Sequence, residues 1–300
     1  MKPSSKKSNS KIYPYFLLFL QPVFMSSNLI IARGGVEFVP PISLAFWRWV
    51  TTFLLLIPFF YKPILKNFKK IKPEFFKLFF LGLMGCGICG AFPFIAGKTT
   101  TMANMGIIYT SSPVFIILLS TFILKELIKT KQIFGLVICI VGVLAIICKG
   151  DLNLLINTQF TSGDIWMLGA ALGWALYSVY LIHWKFKFSF FIRFTLISFF
   201  GALSLFPFYV MEEIFINRTN FDIYFTFWVL FGAISPGVIA FTLYAKAQKY
   251  LGASITGFTL YLYTIYAAIY GIIFFGEQLQ NFHYLGASLV LIGVYFAKKT

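Results

Sequence analysis

The feature that most constrains this chain is a succession of apolar runs of about 20 residues, each long enough to cross the hydrocarbon core of a bilayer as a helix. Within lipid, every backbone N–H and C=O must find a partner inside the structure, which leaves helices or a closed barrel. A barrel strand would show shorter, alternating segments with polar lumen positions. The runs here are continuous, so the reading is all-α. Composition agrees: hydrophobic residues make up 59% and charged residues 11% of the 300, whereas a soluble domain carries roughly a quarter charged residues. Helices are predicted at 13–33, 42–61, 75–97, 105–124, 131–148, 163–183, 190–210, 223–245, 254–275 and 282–297. Residues 1–12 form a basic tail. The first run ends in Arg33-Gly34-Gly35 without a small-x-small cleavage site, so it is read as a retained helix rather than a signal peptide.

The net charge of +16 is a topology signal. With the N-terminus inside, the inward segments collect Lys62, Lys66, Lys69, Lys70, Lys72 and Lys77, and later Lys125, Lys129, Lys185, Lys187, Lys246 and Lys249. The outward segments hold Arg33, Lys98, Lys149 and Arg218. The positive-inside rule then places both termini in the cytoplasm. A basic excess distributed in this way argues against nucleic acid as a partner and for the lipid bilayer.

The two halves also resemble each other. Glu126, Gly135 and Gly142 recur at the same spacings as Glu277, Gly286 and Gly293. The Leu54–Phe60 stretch, with Pro58, aligns with Leu203–Tyr209 and Pro207, and Ala91-Phe92 aligns with Ala240-Phe241. Each half, 13–148 and 163–297, holds five predicted helices. An odd number makes the second half enter from the opposite side, so the repeats are inverted. Transporters use this plan, with the substrate near the midplane between the halves.

Several of these residues carry a family resemblance. Asn28, Ala32-Arg33, Pro40-Pro41 and Leu44-Ala-Phe-Trp-Arg-Trp49 resemble the first two helices of the EamA branch of the drug/metabolite transporter superfamily. Ser112-Pro113-Val-Phe, Lys125-Glu126 and the Gly135/Gly142 pair resemble its fourth and fifth helices, and Gly276-Glu277 its ninth and tenth. The resemblance implies transport, commonly export, of amino acids and related metabolites, and a bacterial cytoplasmic (inner) membrane location. The second half has Thr264 where the first has Pro113, so a kink in the fourth helix is expected to be missing from the ninth.

Intramembrane polar groups are costly and become candidates for function. Gln21 and Asn28 share a face of the first helix. Asn28 either bonds a substrate or ties that helix to a neighbour. Arg48 either binds a substrate carboxylate bidentately or snorkels to the outer headgroups. Tyr109 with Ser112, Trp174 with Tyr177, and Tyr263 with Tyr266 and Tyr270 are candidates for an aromatic cavity with a few hydroxyls. Glu126 and Glu277 are read as gating or structural groups capping the fifth and tenth helices, where the dipole favours an anion. Pro113 is expected to be structural. Cys86-x-x-Cys89 reads as small buried hydrophobes. No cofactor or metal motif occurs, and His183 and His283 stand alone at predicted helix ends. The function expected is therefore transport of small metabolites by a monomer. A lipid flippase is the alternative, and a membrane-embedded enzyme the weaker one.

Overall fold

The computed structural model describes residues 12–123, 125, 130–147, 161–256 and 259–297. Among these the chain is helical throughout, without strands. Helix α1 is Ile12–Gly34 and α2 is Pro41–Lys66. Helix α3 is Phe68–Ala96, interrupted by short 3-10 and π turns, and α4 is Met102–Ile123. Helix α5 is Thr130–Ile147, α6 is Ser162–His183 and α7 is Phe190–Phe215. Helix α8 runs as Ile223–Gly232, a π turn at Ala233–Ile239, and Ala240–Thr256. Helix α9 is Thr259–Phe275 and α10 is Asn281–Ala297. Among the described residues, six helices (α2, α3, α4, α6, α7 and α8) are long and apolar enough to cross a membrane. This is a multi-pass integral membrane protein.

Local chemistry sets the helix ends. Pro41 opens α2 at a position where its missing N–H costs nothing. Thr101, Thr161, Ser189 and Asp222 each cap a helix by accepting from a backbone N–H three residues on. Helices α2 and α7 run several residues past their predicted ends at 61 and 210, through Pro63 and the Glu212-Glu213 pair respectively; α3 starts at Phe68 rather than 75, and α8 runs on to Thr256 rather than 245, so that α9 starts at Thr259 rather than 254. Helix α4 breaks at Thr110–Ser111. Pro113 explains the break, because a proline removes the bond to the carbonyl four residues back and its ring crowds that carbonyl. The orphaned Tyr109 carbonyl accepts instead from the Ser112 hydroxyl at 2.5 Å. Helix α9, with Thr264 in place of a proline, is unbroken.

The packing pairs form a mirrored set. Helix α2 packs on α7 and α5 on α10. Helix α1 packs on α8 and α9, while α6 packs on α3 and α4; α3 also meets α7, and α8 meets α2. Where α3 meets α7, a Cβ on Gly82 would stand 2.6 Å from the Gly201 amide nitrogen, so only glycine permits this backbone approach. The glycines at matched spacings meet as well, for a Cβ on Gly142 would stand 2.9 Å from the Gly286 carbonyl oxygen. The interior holds Trp49, Phe94 and Phe194, and large apolar side chains such as Phe59, Phe76, Phe215 and Ile273 stand outward, as a lipid-facing surface requires.

Gly276 has φ +62° and closes the turn from α9 to α10 with open space around it. A left-handed conformation costs an L-residue roughly 1–2 kcal/mol. Gly276→Ala is therefore expected to lower thermal stability modestly, by a few degrees in detergent, with no change in the oligomer profile. An unchanged melting temperature would argue against the left-handed turn.

Candidate functional site

Seven helices converge on one cavity. Helix α1 brings Met25 and Asn28, one turn apart, and α2 brings Arg48 and Trp49. Helix α3 brings Gly85, Cys89 and Pro93; Gly85 lies inside the π turn at Leu83–Ile88, and Cys89 follows it directly. Tyr109 is the last residue of α4 before its break, Trp174 comes from α6, Phe241 follows the π turn of α8, and Tyr263 comes from α9. The cavity is small, about 20 Å³, room for one or two waters.

The walls are an aromatic box. The Tyr109 ring lies 5.3 Å from Tyr263 and 6.3 Å from Trp174, centroid to centroid. Phe241 lies 6.2 Å from Trp174 and 5.9 Å from Trp49. At one wall sits Arg48, 4% exposed, with its Nη1 donating to Asn28 Oδ1. The Arg48 guanidinium carbon stands 4.6 Å from the centre of the Trp49 ring, within cation–π range. Its Nε has no partner, and among the described residues the sole ion pair is Lys77–Glu74, near the N-terminal end of α3. Gly232 of α8 lets the arginine stem pass, since a Cβ there would stand 3.1 Å from Arg48 Cδ. The Cys89 thiol donates to the Ala170 carbonyl at 3.0 Å.

Of the residues singled out from sequence, Asn28, Arg48, Tyr109, Trp174 and Tyr263 meet at this cavity. The burial of Arg48 rules out snorkelling. Ser112 mends the backbone behind Tyr109. Tyr177 packs behind the wall, against Trp174 at 5.3 Å and over Gly85. Tyr270 turns to α1, where its hydroxyl donates to the Val23 carbonyl at 3.1 Å, and the Tyr266 ring lies tilted beside it, 6.4 Å away. Gln21 is buried on α1 away from the cavity lining, with its Oε1 unpartnered. Sequence reasoning missed Trp49, Cys89 and Phe241. A signal existed for Cys89, at regular four-residue spacing between Gly85 and Pro93 on a helix already crowded with small residues.

A second set of polar contacts ties together the helix ends on the side where α1 stops and α2 starts. Glu212 of α7, 3% exposed, accepts from the Ile42 and Ser43 amides at 3.2 and 2.6 Å. Glu277 accepts from the Met102 and Ala103 amides at 2.8 and 3.2 Å. Glu277 therefore caps α4, not α10 as the sequence suggested, because the left-handed turn at Gly276 aims it back across the bundle. Glu126 lies outside the described residues. Asp164 accepts from Thr100 Oγ1 at 2.6 Å, and Arg33 Nη1 donates to the Gly97 carbonyl at 2.8 Å. His283 Nδ1 accepts from the Gln280 amide, so its Nε2 carries the proton and donates to Asn104 Oδ1 at 3.1 Å. Among the described residues, no three His, Cys, Asp or Glu side chains converge as metal ligands.

Comparison with known proteins gives a consistent picture. The model of the EamA-like transporter family matches twice, over residues 12–148 and 161–298. An uncharacterized transporter of Archaeoglobus fulgidus is 27% identical over 291 residues, covering 96% of this chain and 97% of its own. The uncharacterized transporter YyaM of Bacillus subtilis is 25% identical, covering 93% and 92%. A protein crystal structure of 16% sequence identity shares the fold, with a TM-score of 0.61 over 95% of this chain and 96% of that one.

Proposed function

Since the chain belongs to the EamA-like transporter family, and is accordingly a membrane transporter, we propose that it moves small metabolites, amino acids or related polar solutes, out of the cell through the cavity at Arg48. The working form is a monomer of ten membrane-spanning helices, with both termini in the cytoplasm of a bacterial cell. Residues 13–148 and 163–297 act as two inverted five-helix repeats that rock about the cavity in alternating access.

The observation that carries this reading is that side chains from both halves close one cavity holding a buried guanidinium and amide. Three further features support it. The helix pairings are mirrored between the halves. A π turn interrupts the third helix of each half, at Leu83–Ile88 and Ala233–Ile239, and such turns gather at functional sites. Among the described residues, side-chain hydrogen bonds between helices are numerous at the ends where α1 stops and α2 starts, the side this topology takes as outer.

Efflux from proteoliposomes loaded with a labelled panel of amino acids, nucleosides and amines tests the proposal against protein-free liposomes. Saturable efflux is expected, reduced about tenfold by Trp174→Ala, because that change removes a wall touching four other rings. A chain that moves nothing in the panel but equilibrates fluorescent lipids between leaflets would overturn it in favour of a flippase.

A further inference from the structure

We propose that the cargo enters this cavity as an organic monoanion whose carboxylate displaces Asn28 from Arg48 and neutralises it. The inference rests on the transport reading above and shifts its substrate class within small metabolites from zwitterionic amino acids to organic acids. Its root is an imbalance of charge. Arg48 is 4% exposed in the middle of an apolar bundle, and no carboxylate pairs with it among the described residues. A buried cation without an anion costs several kcal/mol even after relaxation. Arginine keeps its charge across the physiological range, so a counter-charge must come from elsewhere.

What the site offers instead is a placeholder. Asn28 gives a single neutral oxygen to Nη1, while Nε has no partner at all. A carboxylate supplies two oxygens in the plane of the guanidinium, matching the fork that one amide oxygen half-fills. The stacking of Trp49 on the guanidinium holds that plane in place.

The remaining walls select the rest of the molecule. Tyr109, Trp174, Phe241 and Tyr263 present ring surface, which suits an apolar or aromatic body. None of the lining residues is acidic. An ammonium group would thus find no counter-ion and would stand within a few Å of Arg48. The site favours a monoanion over a zwitterion of the same size, and disfavours an amine outright.

The test uses four solutes that share a phenyl ring and differ in charge: phenylacetate, phenylacetamide, phenethylamine and phenylalanine. Binding to the purified chain is read from the concentration dependence of its melting temperature, and transport from counterflow corrected for protein-free liposomes. Phenylacetate is expected to bind and exchange best, phenylalanine more weakly, and the amide and amine least. Arg48→Gln should weaken phenylacetate by about 30-fold or more, as expected for removing one partner of a buried charged pair, and leave phenylacetamide unchanged. Should Arg48→Gln fail to fold, Asn28→Ala reports the same contact from the other side. Freeing Nη1 is then expected to tighten phenylacetate several-fold.

Saturable binding of the amide or amine as tight as that of phenylacetate would overturn the inference and leave transport through the cavity standing. So would phenylacetate affinity indifferent to both substitutions. If none of the four binds or exchanges, the anion site falls together with the cavity as the transport path.

Discussion

Replacing Gly97 by alanine is expected to abolish the folded protein. The α3 terminus crosses the α1 terminus so closely that a Cβ on Gly97 would stand 1.6 Å from the Ala32 carbonyl oxygen and 2.4 Å from its carbon. Both obstacles are backbone, so no rotamer change relieves them. Moving the two helix ends apart also breaks the bond from Arg33 Nη1 to the Gly97 carbonyl. Overpacking a tight core costs typically 1–3 kcal/mol and occasionally more, and this case lies at the upper end. The yield of monodisperse protein in detergent is expected to fall at least about tenfold. Gly276→Ala, where nothing lies within 4 Å, is the matched control. If Gly97→Ala purifies like wild type and melts within a degree or two of it, the close crossing of α1 and α3 is wrong.

The second large effect concerns access. Cys89 lines the cavity and is a free thiol, so an impermeant maleimide reports when the cavity opens, and to which side. In a background with the other three cysteines replaced, Glu212→Ala is expected to raise labelling of Cys89 from outside by about 30-fold. Glu212 holds the Ile42 and Ser43 amides at the N-terminus of α2, which would otherwise be left without partners. Each buried donor so orphaned costs roughly 1–3 kcal/mol, and under the topology and alternating access proposed above that loss falls on the conformation described here. About 2 kcal/mol corresponds to the stated factor. Glu212→Gln, which keeps an acceptor but loses the charge at the helix dipole, is expected to fall between. Unchanged outside labelling together with a lower melting temperature would reduce Glu212 to a scaffold residue.

The six clear spans were legible because lipid imposes one requirement on every residue of a run, and sequence records it directly. Most helix ends were legible to within a turn; the exceptions are α2, α3 and α7, where prolines or an acidic pair fall inside the helix, and the α8–α9 junction, where Lys246 and Lys249 read as the end of a span although α8 continues to Thr256. The site was half legible. Arg48 and Asn28 stood out because polar residues in apolar runs are conspicuous, and Trp174, Tyr109 and Tyr263 followed from helical spacing. That spacing says which residues share a face but not which neighbour the face meets. Tyr266 and Tyr270 were thus grouped with Tyr263, although Tyr270 bonds α1. Trp49 and Phe241 were lost among many aromatics. Glu212 went unnoticed because a carboxylate near a helix end looks solvated until the neighbouring helix is in place.

The two π turns carry a consequence for how this chain tolerates changes in length. A π turn closes its ring one residue later than an α turn, so each behaves as a one-residue insertion that the helix has absorbed. Removing a residue from Leu83–Ile88 or Ala233–Ile239 leaves enough chain to form an uninterrupted α-helix. The same deletion elsewhere in these helices rotates everything beyond it by about 100°. The bulges are therefore the points at which α3 and α8 can lose a residue and keep both of their ends in register with the bundle.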